Sequence, residues 1–300
     1  MNSEEDLLDR IGRILPDSSA LVPSGDDAAV IVPAGAVACS TDILVENVHF
    51  RTDWSTGEDV GWRCVMQNVA DAVAMGARPV SLVVALTLPA GRENWAEDFA
   101  RGLAEGASWV ARTCGPFAID GGDLSAGPAL IACGTVLGDL EGRAPILRSG
   151  ARPGDELVHV GHLGASASGL ADLQAGVSSS YTELFRRPLP PLKRGLDIRP
   201  HAMMDVSDGL VRDARRMAAA SSVSIDLHAE AIAAAGTGAS LADALTGGED
   251  HGFLAAVRPG TAPDGWRVLG KVGSGEGVTL DGQPIAGGGG WDHFEAKARP

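Results

Sequence analysis

The sequence predicts a mixed α/β fold divided into two domains. Three observations support this: the chain has 300 residues, its apolar segments switch between strand-like and helix-like periodicity, and a run rich in Gly, Pro and charged residues interrupts them near residue 145. A chain of this length can bury two cores of ordinary size. We therefore predict one domain over residues 1–145 and a second over residues 146–300.

In the first domain, helices and strands are predicted in turn. After Ser3, EEDLLDRIGRIL places its apolar residues on one helical face. AAVIV and AVACST predict two short strands on either side of a Pro-Ala-Gly turn. Helical periodicity over residues 59–75 and 93–112 flanks the strand VSLVVALTL, and FAID and ALIACGTVLG predict two further strands.

In the second domain, a small-residue helix near 165–175 precedes a Pro-rich connector over 187–200. The strand AMMDVS, the helix DGLVRDARRMAAA, the strand SIDL and the helix LADAL follow, and another strand comes after GGEDHG. GWRVLGKV is close to a phosphate-binding loop, but Val272 replaces the hydroxyl residue and the pattern is that of a strand. We interpret that match as chance.

The composition limits the partners. Acidic residues number 39 against 24 basic ones, a net charge of −15, which argues against a nucleic-acid or anionic lipid surface. The four cysteines form no C-x-x-C pair, so reduced thiols are expected. No signal-peptide pattern or membrane-length apolar run occurs. We predict a cytoplasmic protein with no membrane partner.

Acidic residues recur beside apolar runs and glycine turns. Individually they have structural explanations, since Asp is common beside Gly and Asp208 could cap a helix. Asp71 is different, because it lies within a predicted helix among apolar neighbours. The set comprises Asp26, Asp27, Asp42, Asp71, Asp120, Asp123, Asp205, Asp208, Glu249 and Asp250.

Convergence of these carboxylates would require cations. Two unit charges about 4 Å apart repel by about 4 kcal/mol at an effective dielectric of 20. Oxygen ligands without accompanying His or Cys favour Mg²⁺. The sequence therefore predicts a magnesium site that binds phosphate groups.

Several motifs together resemble one enzyme family. They are GDDAAVI, STDILVENVHF, NVADAVAMGARP, DGGDLSAG, RSGARPGDELVHVG, MMDVSDGL, LTGGEDHG and GWDHF. In this order, over almost the whole chain, they resemble the thiamine-monophosphate kinases of the aminoimidazole ribonucleotide synthetase superfamily. The resemblance implies two α/β domains, with N-terminal domains that pair in a homodimer and form an intersubunit β-barrel. It also implies ATP-dependent conversion of thiamine monophosphate to thiamine diphosphate, the last step of thiamine diphosphate biosynthesis.

The resemblance also implies roles for individual residues. Several Mg²⁺ ions would be held by Asp27, Ser40, Thr41, Asp42, Asp71, Asp123, Asp205 and Asp208. ATP would be bound by Gly122, Asp123, Arg148 and Ser207, and thiamine monophosphate by His49, Glu249 and Trp291. The catalytic set would be Asp42, Asp71, Asp123, Arg148 and Asp205.

This chain departs from the family pattern at a few positions. Leu124 stands where the family usually has a hydroxyl residue after GGD, although Ser125 could replace it. His251 and Gly252 stand where Tyr and Glu are usual, and NVAD replaces Asn-Leu-Ser-Asp. None of these changes removes an expected metal ligand.

Two alternatives remain open at this point. Another member of the superfamily is one, with aminoimidazole ribonucleotide synthetase harder to exclude than selenophosphate synthetase, which is expected to carry an early reactive Cys and Lys. The first cysteine here is Cys39 and the first lysine is Lys193. The second alternative is a non-catalytic ATP- or Mg²⁺-binding regulator, against which the many carboxylates argue.

Overall fold

The protein is described by a computed structural model that covers residues 4–25, 27–236 and 239–291. The chain forms two compact units. The first runs to Val73 and continues from Ala77 to Ala144, and the second contains Ala74–Gly76 and the described chain from Pro145 onward. No helix in the described ranges is long and apolar enough to span a bilayer.

In its described residues, the first unit contains one four-stranded sheet and three helices. In chain order its elements are α1 (Glu4–Ile14), β1 (Val37–Val45), α2 (Gly57–Ala74), β2 (Arg78–Leu88), α3 (Glu93–Cys114), β3 (Ala118–Ala126) and β4 (Ile131–Asp139). The strand order is β1-β4-β2-β3. Only β2 and β3 run parallel, and the helix α3 supplies the long connection that parallel neighbours need.

The two faces of this sheet differ. Side chains of β2 alternate along the strand, with Leu82, Val84 and Leu86 buried. On the opposite face apolar side chains are exposed, including Ile43 at 48% and Val83 at 36%. One face therefore closes a core and the other is an apolar surface.

The second unit is a seven-stranded sheet with helices. Its elements are a 3-10 turn (Arg148–Gly150), β5 (Glu156–Val160), α4 (Ala165–Gln174), α5 (Ser180–Arg186), α6 (Leu192–Asp197), β6 (Ala202–Val206), α7 (Leu210–Ser221), β7 (Ser224–Leu227), α8 (Ala229–Ala235), α9 (Leu241–Thr246), β8 (Gly252–Val257), β9 (Arg267–Gly273), β10 (Gly277–Leu280) and β11 (Gln283–Pro284). The strand order is β11-β10-β7-β9-β5-β8-β6.

A single core holds the second unit together. Val211, Ala214 and Met217 of α7 pack in it, as their helical spacing predicts. Strands β6 and β8 are buried along their whole lengths, which is typical of strands covered on both faces. The carboxyl end of β6 consequently emerges from the core directly into the turn that precedes α7.

Three predictions of local structure are wrong. AAVIV forms no strand and contributes only a single bridge, at Val30, because most of this segment is exposed and lacks a neighbouring strand. AVACST and FAID are predicted to end before Asp42 and Asp123, but both residues lie inside β1 and β3, because cross-strand pairing extends through them. The Pro-rich connector contains α6. GWRVLGKV is a strand, as predicted.

Candidate active site

The turn between β6 and α7 gathers predicted site residues of the second unit. The amide of Glu249 donates to the carbonyl of Ser207 at 2.7 Å, and the amide of Trp291 donates to the carbonyl of Asp208 at 2.8 Å. A Cβ at Gly290 would lie 2.1 Å from that same carbonyl, so only glycine allows the close approach. Backbone hydrogen bonds therefore bring the last described residue of the chain and the GGED segment to this turn.

Asp205, the buried acid at the start of this turn, faces His251. The imidazole lies between two carboxylates, with Nδ1 3.7 Å from Asp205 Oδ2 and Nε2 3.7 Å from Glu249 Oε2. These separations are too long for hydrogen bonds, so the attraction is electrostatic. Burial alone would lower the pKa of His251. The combined effect of the two carboxylates is opposite and larger, and it raises the pKa to about 10.

Asp208 is held by two residues of α7. Its amide donates to Asp213 Oδ2 at 3.1 Å, and Arg216 Nη1 lies 2.7 Å from both Asp208 Oδ2 and Asp213 Oδ1. Burial, with the nearby charge of Asp205, raises the pKa of Asp213 to about 7. The carboxylate of Asp208 thus already faces a cation of the protein.

Asp250 links the GGED segment to the start of α4. Its buried carboxylate accepts the amides of Gly164 at 2.5 Å and Ser166 at 2.8 Å, at the start of α4. Ser166 Oγ also donates to the Glu249 carbonyl at 2.9 Å. Burial raises the pKa of Asp250, and these hydrogen bonds oppose the shift. Asp250 is therefore a structural residue that orients its neighbour Glu249.

Arg148 begins the 3-10 turn of the second unit and is exposed. Its carbonyl accepts Ser221 Oγ at 2.8 Å, which ties the turn to the end of α7. A Cβ at Gly150 would lie 1.7 Å from the carbonyl oxygen of His201, so the turn requires glycine there. The backbone at Arg148 is thus tied to α7, and the residue itself is exposed.

In the first unit, Ser40 and Asp71 meet on the helix-covered face of the sheet. Ser40 Oγ donates to Asp71 Oδ2 at 2.7 Å. Asp42 lies two residues further along β1 and so shares this face. Burial raises the pKa of the Cys64 thiol, and the nearby charge of Asp42 raises it further. Ser40, Asp42 and Asp71 are thus oxygen donors on one side of the unit.

Thr41 points to the other face of β1. Its hydroxyl donates to the Gly134 carbonyl at 2.8 Å and accepts from Thr135 Oγ1 at 3.0 Å. Because successive strand residues alternate, its side chain cannot join Asp42 and Ser40 on their face. Any contribution of Thr41 to that group would come from its backbone.

Asp123 lies on β3, at the opposite edge of the sheet from β1. Three strand spacings, or about 14 Å, separate β3 from β1, the strand that carries Asp42. Cross-strand register aligns Asp123 with Ala85, Cys133 and Ile43, on the exposed face. The structure therefore does not bring Asp123 together with Asp42 within one sheet.

Gly122 allows a tight approach between β3 and β2. A Cβ at Gly122 would lie 2.0 Å from the Val84 carbonyl oxygen. Asp27 is exposed in the irregular segment before β1, and Asp26 lies outside the described residues. His49 lies in the turn after β1, where its Nδ1 accepts the Val45 amide at 3.0 Å.

The candidate oxygen ligands differ in how well they could bind Mg²⁺. No group of three or more His, Cys, Asp or Glu residues close enough to hold a metal occurs among residues 4–25, 27–236 and 239–291. Ser40, Asp42 and Asp71 offer hard oxygen ligands, as does Asp205. Asp208 fits less well, since Arg216 already pairs with it at 2.7 Å.

Three residues of this site were missed as participants by sequence reasoning. They are Asp213, Arg216 and His251, the last recognised only as a departure from a family pattern. A signal existed for the first two: Asp213 and Arg216 have the i, i+3 spacing of a helical pair and follow DVSDG directly. For His251 the burial between two carboxylates needed the folded chain.

Two family models describe the class of protein to which this architecture corresponds. The model described as AIR synthase related protein, N-terminal domain, matches residues 25–140. The model for the C-terminal domain of the same proteins matches residues 152–279. Together they span most of the chain, one in each part, and define the two-domain class.

Curated relatives narrow the class. A thiamine-monophosphate kinase of Mycobacterium tuberculosis is 42% identical over 96% of this chain and 90% of its own. One from Corynebacterium glutamicum is 37% identical over 87% of this chain and 84% of its own. The chain belongs to the thiamine-monophosphate kinases of the AIR synthase related family.

Two solved structures have folds similar to that of this chain. The structure described as AaThiL complexed with AMPPCP and TMP has a TM-score of 0.79 at 28% identity, covering 97% of both chains. A thiamine-monophosphate kinase from Stenotrophomonas maltophilia has a TM-score of 0.77 at 29% identity, covering 92% of this chain and 96% of its own.

Proposed function

We propose that this protein is a kinase that transfers the terminal phosphoryl group of ATP to thiamine monophosphate and releases thiamine diphosphate. The observation that carries this conclusion is the grouping of Ser207, Glu249 and Trp291 by backbone hydrogen bonds at one turn, in a chain of this family. The ATP analogue and TMP in the AaThiL complex are the ligands that this reaction requires.

The chemistry needs positioning more than proton transfer. The acceptor is a phosphate monoester whose second pKa is about 6, so its attacking oxygen is largely deprotonated at neutral pH. No general base is required, and direct in-line transfer without a phosphoenzyme follows. The requirement on the protein is to bring two polyanions together, although its own net charge is −15.

The residues divide this work. Ser40, Asp42, Asp71, Asp123 and Asp205 would hold Mg²⁺, which supplies charge neutralisation at the phosphates when bound. Arg148, exposed on a fixed turn, would contact the phosphates of ATP together with Gly122 and Ser207. Asp27, Thr41 and Asp208 complete the proposed metal set, Thr41 through its backbone and Asp208 in competition with Arg216.

The thiamine side would be formed by Glu249, Trp291 and His49. Trp291 is half-buried, with its backbone anchored to Asp208. Its ring would offer a π face to the cationic thiazolium, worth about 0.5 to 2 kcal/mol. The carboxylate of Glu249 carries a charge complementary to that cation.

A homodimer would complete the first unit. Its sheet exposes apolar side chains at Ile43 and Val83, and Asp123 shares their face while Asp42 does not. We propose that the same face of a second copy packs against it and that the two sheets form a barrel. Pairing through this face would place Asp123 in the interface and leave Asp42 on the helix-covered face of its own sheet. We propose a cytoplasmic location, which fits four cysteines that form no C-x-x-C pair.

The test is a mass-spectrometric assay of the purified protein with ATP, Mg²⁺ and thiamine monophosphate. Thiamine and formylglycinamidine ribonucleotide serve as comparison substrates. Thiamine diphosphate formed only from the monophosphate would support the proposal. Turnover of the ribonucleotide instead would assign the chain to another reaction of the superfamily, and ATP binding without any turnover would favour a regulator.

A further inference from the structure

His251 occupies an unusual place for a histidine in this chain. It is 4% exposed, and neither ring nitrogen has a hydrogen-bond partner in the described part of the chain. Each nitrogen nevertheless faces a different carboxylate at the same distance, 3.7 Å, Nδ1 toward Asp205 and Nε2 toward Glu249. A buried polar ring without hydrogen bonds is costly unless another role retains it.

The backbone holds the ring in this position. His251 has φ 51° and Glu249 has φ 69°, so both non-glycine residues adopt the left-handed region. Such conformations persist only where the surroundings determine them, and they concentrate at functional sites. Here the amide of His251 donates to the Val206 carbonyl at 3.1 Å, beside the bond from Glu249 to Ser207.

The space around the ring is also specific. Gly252 follows His251, and a Cβ at Gly252 would lie 2.5 Å from Nε2 of His159, a second buried histidine, on β5. A larger residue at 252 would displace the adjoining backbone. The departure from the family pattern at Gly252 therefore has a packing reason, and it leaves His251 between its two acids.

We propose that His251 is a positioning residue that sets the separation of Asp205 and Glu249 and thereby places Glu249 for the thiamine substrate. This inference rests on the proposed kinase function. The ring lies between the two carboxylates, and each of its nitrogens is 3.7 Å from one of them, so the buried ring fixes the distance between the two acids.

The two ring nitrogens allow the two restraints to be separated. The amide of Asn reaches about as far as Nδ1 of His, and the amide of Gln reaches about as far as Nε2. His251→Asn therefore keeps a donor toward Asp205, and His251→Gln keeps one toward Glu249. His251→Leu removes both, with little change of volume.

The experiment measures kcat, KM for both substrates, and the calorimetric Kd of thiamine monophosphate without ATP. His251→Leu is expected to raise the KM and Kd of thiamine monophosphate about 10-fold and to lower kcat, with the KM of ATP changed less than 2-fold. His251→Gln should recover the Kd of thiamine monophosphate, and His251→Asn should recover kcat.

His159→Leu is the matched control. His159 is equally buried, and neither of its ring nitrogens has a hydrogen-bond partner in the described residues, but no carboxylate pairs with it there. His159 packs against Gly252, so His159→Leu also tests that contact, and its kinetic constants should change less than those of His251→Leu. The inference is overturned if the kinetic constants of His251→Leu match those of His159→Leu. It is also overturned if the Asn and Gln variants raise the KM values of thiamine monophosphate and ATP equally. A protein that forms no thiamine diphosphate before any substitution would instead refute the proposed function.

Discussion

The two units of this protein arrange their acidic residues in opposite ways. In the second unit, Asp205, Asp208 and Glu249 lie around one turn, tied by backbone hydrogen bonds and by Arg216. In the first unit, Asp42 and Asp123 lie on strands at opposite sheet edges, with register that places them on different faces.

This difference has a structural reason. A turn at the end of a buried strand concentrates side chains, because the chain leaves the core there and neighbouring loops pack on it. A strand distributes its side chains over two faces and along its length. Local topology therefore assembles the second group, whereas the sheet of the first unit keeps Asp42 and Asp123 apart on its two faces.

The largest expected effect tests the acids of the first unit. Asp42→Asn and Asp71→Asn should each lower kcat on the order of 100- to 1,000-fold, because each removes a charge that a phosphate-binding cation needs. Steady-state kinetics at saturating Mg²⁺ provides the measurement. Asp98→Asn, on α3 and exposed, is the control and should retain activity. Unchanged rates in the first two variants would remove them from the proposed metal set.

The second prediction concerns the exposed sheet face. Ile43→Asp places a charge on the apolar face of β1 and should convert a dimer to a monomer, with most activity lost. Sedimentation velocity measures the mass. Val268→Asp, on β9 of the second unit and 37% exposed, is the control. A dimeric Ile43→Asp protein would exclude this face as the interface.

The third prediction compares a buried ion pair with an exposed one. Asp213→Ala should lower the free energy of unfolding by about 1 to 3 kcal/mol, because the Asp208 amide and Arg216 lose an acceptor. Asp197→Ala, which breaks the exposed pair with Lys193, should change it by less than about 1 kcal/mol. Urea unfolding measures both. Equal losses would show that the cluster at the turn has no special stability.

A smaller effect is expected at Trp291. Trp291→Ala should raise the KM for thiamine monophosphate roughly 2- to 30-fold, the equivalent of about 0.5 to 2 kcal/mol, and change the KM for ATP less. Trp54→Ala, in the first unit beside Arg51, serves as the control for loss of an indole. Equal losses for both substrates would count against stacking on the thiazolium.

The last prediction is a pH dependence of stability, which is small near neutral pH. Burial lowers the pKa of His159 to about 3, against roughly 6.5 in the unfolded chain. Below pH 6.5 the unfolded state binds a proton that the folded state does not, so stability falls as the pH falls toward 3. His159→Leu should make this decline shallower by at most about 1.4 kcal/mol per pH unit. Identical slopes would show that His159 is accessible to protons.

Helices and motifs were predictable because their signals are local. The periodicity of DGLVRDARRMAAA specifies α7, and its apolar positions are those that enter the core. The ordered set of motifs over almost the whole chain likewise predicted the family. Strand limits were less predictable: AAVIV has strand-like composition but no neighbour, so it stays unpaired apart from one bridge.

The amino-acid sequence alone was sufficient for the mixed α/β two-domain fold class and the family, since periodicity, glycine turns and motif order are properties of neighbouring residues. The roles of the candidate site residues stay predictions. The faces of Thr41 and Asp123, and the burial of His251 between Asp205 and Glu249, needed the folded chain. The reason is physical: strand order and cross-strand register depend on segments far apart in sequence, and no local pattern encodes which strands become neighbours.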